Sequence, residues 1–170
     1  FNSDTPFSLR LTGCQGDVMK ESVQCSLTCA IDYINNNKDK YGIDNLKEYL
    51  ENKWKSGFHV HAPSGATPKD GPSAGSAFTT AFISRILEKK IDNTVAMTGE
   101  IDLLGCVTKI GGLEYKINGA KKAGIVKILI SRENEDDYKK IKKEDPDLFN
   151  SIEVLLIDTI SDIIPHVLLD

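Results

Sequence analysis

A chain of 170 residues with 21 basic and 25 acidic side chains, 40% hydrophobic, is sized and composed for one ordinary globular domain around a single core. Its net charge of -4 argues against a nucleic-acid-binding domain, and no apolar run reaches membrane-spanning length. Four scattered cysteines, Cys14, Cys25, Cys29 and Cys106, do not frame a secreted disulfide scaffold, so reduced thiols are expected. The chain opens at Phe1 without an initiator methionine or signal-peptide pattern, and the expectation is a domain excised from a longer protein.

Residues 7–11 alternate as a strand. A helix over about 17–33 follows, with Val18, Ser22, Cys25, Cys29 and Tyr33 along one side. Cys25 and Cys29, one turn apart, read as core thiols rather than metal ligands. Residues 35–57 read as a polar insertion, with a loop at Asn35-Asn36-Asn37 and a helix around Leu46, Tyr49 and Leu50. In the next strand, residues 58–60, His59 and His61 flank Val60 and point to one face. They read as polar lining, with a metal pair as the alternative. A helix from about Ser73 comes next, then strands over 94–97 and 101–104. A glycine-bounded helix over 111–124 leads into the apolar strand 126–130. A charged surface helix over 136–143, a strand over 152–157 and a closing helix complete the order. Pro165 is tolerable in that last helix if Ser161 caps it; His166 carries no functional signal. The class is α+β, with mixed sheets and packed helices.

The chemistry centres on two residues. In Lys69-Asp70-Gly71-Pro72-Ser73-Ala74-Gly75 a serine stands where a small-residue loop becomes a helix, and the positive helix end favours negative charge developing beside it. An N-capping serine is the plain alternative. On the 111–124 helix, Leu113, Ile117 and Ala120 share a face with Lys116, whereas Lys121 and Lys122 do not. A lysine turned toward a core is paired, snorkelled or partly neutral, because burial disfavours its charged form. A neutral amine can take the proton of a serine hydroxyl, which is the chemistry of a Ser-Lys dyad. A triad of Ser73 with His59 or His61 is the competing arrangement. No phosphate-binding glycine loop occurs.

Four segments in order resemble the proteolytic domain of the Lon family of ATP-dependent serine proteases. They are His59-Val60-His61-Ala62-Pro63, then Gly65-Ala66-Thr67-Pro68-Lys69-Asp70-Gly71-Pro72-Ser73-Ala74-Gly75, Val95-Ala96-Met97-Thr98-Gly99-Glu100-Ile101, and Ile110-Gly111-Gly112-Leu113, with Lys116 at the dyad lysine's place. Leu11-Thr12-Gly13 and Gly16-Asp17-Val18-Met19-Lys20-Glu21-Ser22 extend the likeness upstream. The chain departs from the family at Leu104 or Cys106, where a basic residue is usual, near Glu114, where a lysine is usual, and in the longer stretch 35–57.

The resemblance implies the Lon proteolytic-domain fold (ribosomal-protein domain-2-like) as a single domain over 1–170. It implies a serine endopeptidase acting on unfolded or damaged proteins, with Ser73 and Lys116 catalytic. Thr98 would hold the lysine ammonium, and His61, Asp70 and Glu100 would shape the site. The backbone at Gly71, Ser73 and Ala74 would supply the oxyanion hole. A carboxylate beside Lys116 opposes its use as a base, so an Asp70–Lys116 pair would mark a resting geometry. No metal or cofactor is implied in this domain; ATP and magnesium belong to an unfoldase module outside it. The resemblance also implies a homo-hexamer, no membrane or nucleic-acid partner, and the mitochondrial matrix or bacterial cytoplasm. The alternative is a catalytically silent Lon-like domain serving as an oligomerisation or binding platform.

Overall fold

The computed structural model describes residues 8–53, 57–63 and 69–169; the side chains of 52 and 53 are not included. Part of the loop before Ser73, residues 64–68, and part of the polar stretch, residues 54–56, lie outside the described residues, as does Phe7 of the first strand.

The elements are β1 (Leu9–Gly13), α1 (Asp17–Asn36), α2 (Leu46–Lys53), β2 (Phe58–Ala62), α3 (Gly75–Leu87), β3 (Val95–Thr98), β4 (Glu100–Ile101), β5 (Val107–Thr108), α4 (Leu113–Lys122), β6 (Lys127–Ser131), α5 (Glu135–Glu144), β7 (Glu153–Ile157) and α6 (Ile160–Val167). Among the described residues three small sheets form: parallel β1–β2, parallel β3–β6–β7, and an antiparallel β4–β5 pair. This is the mixed α+β architecture expected.

The three-stranded sheet separates two cores. Strand alternation sends Leu129 and Ile157 to one side, where they meet α1, α3 and α6. Ile128 and Ile130 go to the other side, against Leu113, Ile117 and Ala120 of α4 and Ile141 of α5. The central strand β6 is therefore apolar on both faces, as a strand covered by helices on each side must be. β3, at the sheet edge, divides likewise: Val95 and Met97 pack with the first core and Ala96 with the second.

Several boundaries differ from the sequence reading. Asn35 and Asn36 close α1 rather than opening a loop, and Asn37 Nδ2 donates to the Tyr33 carbonyl at 2.8 Å. The stretch 35–53 is less polar in effect than in composition, since Ile43 and Leu50 are buried in the first core. The strand over 101–104 shrinks to β4, because the Asp102 carboxylate accepts from the Leu104 and Cys106 amides and turns the chain. Thr159, not Ser161, caps α6: its hydroxyl and the Asp162 carboxylate form a reciprocal capping box. Pro165 then falls in the second turn of the helix rather than the first.

Ser76, in the first turn of α3, is fully buried, and its hydroxyl has no hydrogen-bond partner among the described residues. A buried hydroxyl without a partner costs about 1–3 kcal/mol. Ser76→Ala removes that penalty for a negligible change in volume. It is expected to raise the melting temperature by roughly 2–12 °C; calorimetry showing a lower melting temperature than the parent would refute this account.

Candidate active site

The two backbone segments flanking Ser73 are fixed before its side chain is considered. Upstream, the loop is tied to the start of α1: Lys69 N–H donates to the Cys14 carbonyl (2.9 Å) and Gly16 N–H to the Lys69 carbonyl (2.8 Å). Gly16, the residue preceding α1, has no side chain with which to cap it. Asp70 does so instead across 51 residues, Oδ1 accepting from Met19 N–H at 3.2 Å. An anionic carboxylate at that helix start is favoured by the exposed amides and the helix dipole.

On the far side of the loop, α1 supplies two hydroxyls. Ser22 donates to the Pro72 carbonyl (3.4 Å) and Ser26 to the Gly75 carbonyl (3.1 Å). The Ser73 carbonyl accepts twice, from Gly99 N–H (3.0 Å) and Thr98 Oγ1 (3.1 Å), and Ser76 N–H returns a bond to the Gly99 carbonyl (3.0 Å). Gly99 is required at that junction because a Cβ there would stand 2.2 Å from Val107 Cγ1. These ties hold residues Pro72–Ala74 in one turn of 3-10 helix, after which α3 begins at Gly75. Ser73 is thus not the helix cap; Ala74 occupies that position without a side-chain bond.

The opposing element is α4. Its entry is set by the fully buried Asn134, whose side chain accepts from Ile110 N–H (3.0 Å) and donates to the Ile110 carbonyl (2.9 Å). With Leu113, Ile117 and Ala120 locked into the second core, Lys116 comes to the margin of that face, partly buried. Its Nζ reaches Ser73 Oγ at 3.0 Å. The ammonium donates in that contact; in the neutral form the hydroxyl donates to the amine. The pair opens on an apolar trough of about 420 Å³ beside the edge strand β3, lined among others by Ala77, Met97, Gly119, Ala123, Ile125 and Ile128.

The remaining candidates lie as follows. Thr98 lines the trough with Lys116, but its hydroxyl bonds the Ser73 carbonyl, so it holds the backbone of Ser73 rather than the Lys116 side chain. Asp70 is engaged at Met19, and the resting Asp70–Lys116 pairing is not the geometry seen. Glu100 lines a separate small cleft with Val18, Glu21, Ser22, Cys25, Pro72 and Ile101. His59 and His61 bond Thr12, not Ser73. Cys29 is buried, donates to the Asp102 carbonyl at 2.8 Å, and burial pushes its thiol up to about 11, as befits an unreactive core cysteine. Ser22, Ser26 and Asn134 were not singled out as functional residues by the sequence. A pair of serines at i, i+4 on the inner side of α1 was the available signal for the first two.

The sequence matches the family model of the Lon protease (S16) C-terminal proteolytic domain over residues 3–170. It is 49% identical over 172 aligned positions to a Lon protease homolog of Acanthamoeba polyphaga mimivirus, covering 99% of this chain and 16% of that protein. It is 50% identical over 135 positions to a Lon protease of Clostridium acetobutylicum, covering 79% of this chain and 16% of the relative. A Lon protease of Lachnoclostridium phytofermentans is 43% identical over 161 positions, 95% of this chain and 18% of the relative. The chain thus spans less than a fifth of the length of these relatives.

Proposed function

The chain belongs to the Lon C-terminal proteolytic domain family, and from that premise we propose that it is a serine endopeptidase working through a Ser73–Lys116 dyad. The observation that carries the reading is the 3.0 Å contact between Ser73 Oγ and Lys116 Nζ at the head of an apolar trough.

Neutral Lys116 takes the Ser73 proton as Oγ attacks a peptide carbonyl. Backbone amides of Ser73 and Ala74, with Gly71 leaving room for the approach, receive the developing oxyanion, aided by the N-terminal end of α3. Lys116 then protonates the departing amine, leaving a Ser73 ester. In the second half it draws a proton from water, which cleaves the ester and restores the hydroxyl. The trough, lined by alanine, glycine, methionine and isoleucine, accepts an apolar substrate side chain next to the scissile bond.

Unfolding of stable substrates by ATP and magnesium, and assembly into a homo-hexamer, belong in this reading to the longer protein. The isolated domain would cleave only peptides and unfolded chains. The test is a fluorogenic peptide with leucine or phenylalanine before the cut, together with intact-mass analysis after a peptide boronate. Nucleotide-free cleavage and an adduct localised to Ser73 are expected. Absence of both, in the folded domain and in the full-length protein with ATP, refutes the proposal.

A further inference from the structure

A second polar cluster, away from the dyad, converges on one point. The two-residue period of β2 sets His59 and His61 on one face, and Thr12 of β1 stands opposite, in register with His61. His59 Nε2 and His61 Nδ1 each lie 2.8 Å from the single oxygen Thr12 Oγ1, with the ring centroids 6.4 Å apart. The hydroxyl can accept from both rings, or donate to one and accept from the other, according to the tautomers. Either way the two rings aim one nitrogen each at the same point, and a neutral imidazole can present that nitrogen bare. Both rings are exposed, so the arrangement is open to solutes.

We propose that Thr12, His59 and His61 form a binding site for one divalent transition-metal ion of the cobalt–nickel–copper–zinc group. The two imidazole nitrogens are the ligands and the threonine hydroxyl is a third, weaker donor. Imidazole selects these ions over magnesium and calcium, which prefer carboxylate, carbonyl and water oxygens. With metal–ligand distances of about 2.0–2.1 Å, neighbouring ligand atoms on one ion stand roughly 3 Å apart, close to the 2.8 Å that separates each ring nitrogen from Thr12 Oγ1. No third His, Cys, Asp or Glu among the described residues completes a cage, and water fills the other positions. Arg10, in register with His59 on the same strand face as Thr12, opposes a cation. The affinity is therefore expected in the micromolar range. A bound ion would cross-link β1 to β2, the strand that leads into the Ser73 loop.

The probe is Co²⁺, titrated calorimetrically into the cysteine-reduced protein with the absorption spectrum recorded in parallel. One ion per chain is expected, without a thiolate-to-cobalt charge-transfer band. His59→Gln and His61→Gln should each weaken binding at least about 100-fold, and Thr12→Val about tenfold, while Arg10→Gln should tighten it. Circular dichroism checks that each variant is folded. No binding at millimolar Co²⁺, binding accompanied by a thiolate band, or binding unchanged in a folded His59→Gln/His61→Gln double variant would each overturn the assignment.

Discussion

Lys116→Met is expected to lower kcat for peptide cleavage by about 1,000-fold or more while moving KM less than about tenfold. Methionine keeps the unbranched shape and the helix preference of lysine, and Leu113, Ile117 and Ala120 continue to hold α4 in the second core. What disappears is the only amine within bonding distance of Ser73 Oγ among the described residues. Ser73→Ala should cost as much, and the double variant little more than either alone, because the two groups act in one proton transfer. Steady-state kinetics on the apolar peptide, with thermal melts to exclude unfolding, give the answer. A Lys116→Met enzyme retaining more than a tenth of its turnover would discard the lysine as base and return the task to a histidine. Since His59 and His61 are bonded to Thr12, that outcome would also demand a rearranged β1–β2 unit.

Gly13→Ala is expected to destabilise the fold by about 3 kcal/mol or more. Gly13 has φ +95°, which side-chain-bearing residues rarely adopt, and a Cβ there would lie 2.1 Å from the Ala62 carbonyl oxygen and 2.8 Å from its carbon. Those are backbone atoms of the paired strand and cannot rotate aside; the last rung of the β1–β2 register must break. Gly42 isolates the two contributions. It has φ +64° with nothing within 4 Å of a built Cβ, so Gly42→Ala should cost only about 1 kcal/mol, the backbone strain alone. Urea midpoints of the two variants measure the difference. Equal costs would mean that β2 yields to the new methyl group.

Helical spacing made Lys116 legible, because a cation on the stripe of Leu113, Ile117 and Ala120 needs a reason to be there, and Ser73 supplies one. Spacing also announced a helix near Ser73. It did not foresee the intervening 3-10 turn, since that turn depends on bonds from Thr98 and Gly99, about 25 residues away. The same limit explains Thr98 and Asp70. Thr98 was expected at the Lys116 ammonium and Asp70 among the residues shaping the site, yet their partners, the Ser73 carbonyl and the Met19 amide, are set by how strands and helices meet. Ser161 was misread for a nearer reason: Thr159 and Asp162 form the stronger capping pair two residues earlier. The strands expected over 126–130 and 152–157 carried over as β6 and β7 to within a residue, because a strand covered on both faces shows itself as a nearly uninterrupted apolar run.

The placement of β3 at the edge of its sheet has a mechanical consequence. Ser73 arrives from the layer of α1 and α3, Lys116 from the layer of α4 and α5, and they meet around that edge. Ser73 and Lys116 are therefore anchored in different halves of the molecule, like two jaws on a common hinge. A slip of either layer along the sheet would part the two side chains, and with them the proposed proton donor and acceptor, while leaving each helix internally intact. The Ser73–Lys116 distance thus acts as a gauge of the whole sandwich, and any load that shears it would idle the proposed chemistry without touching either residue.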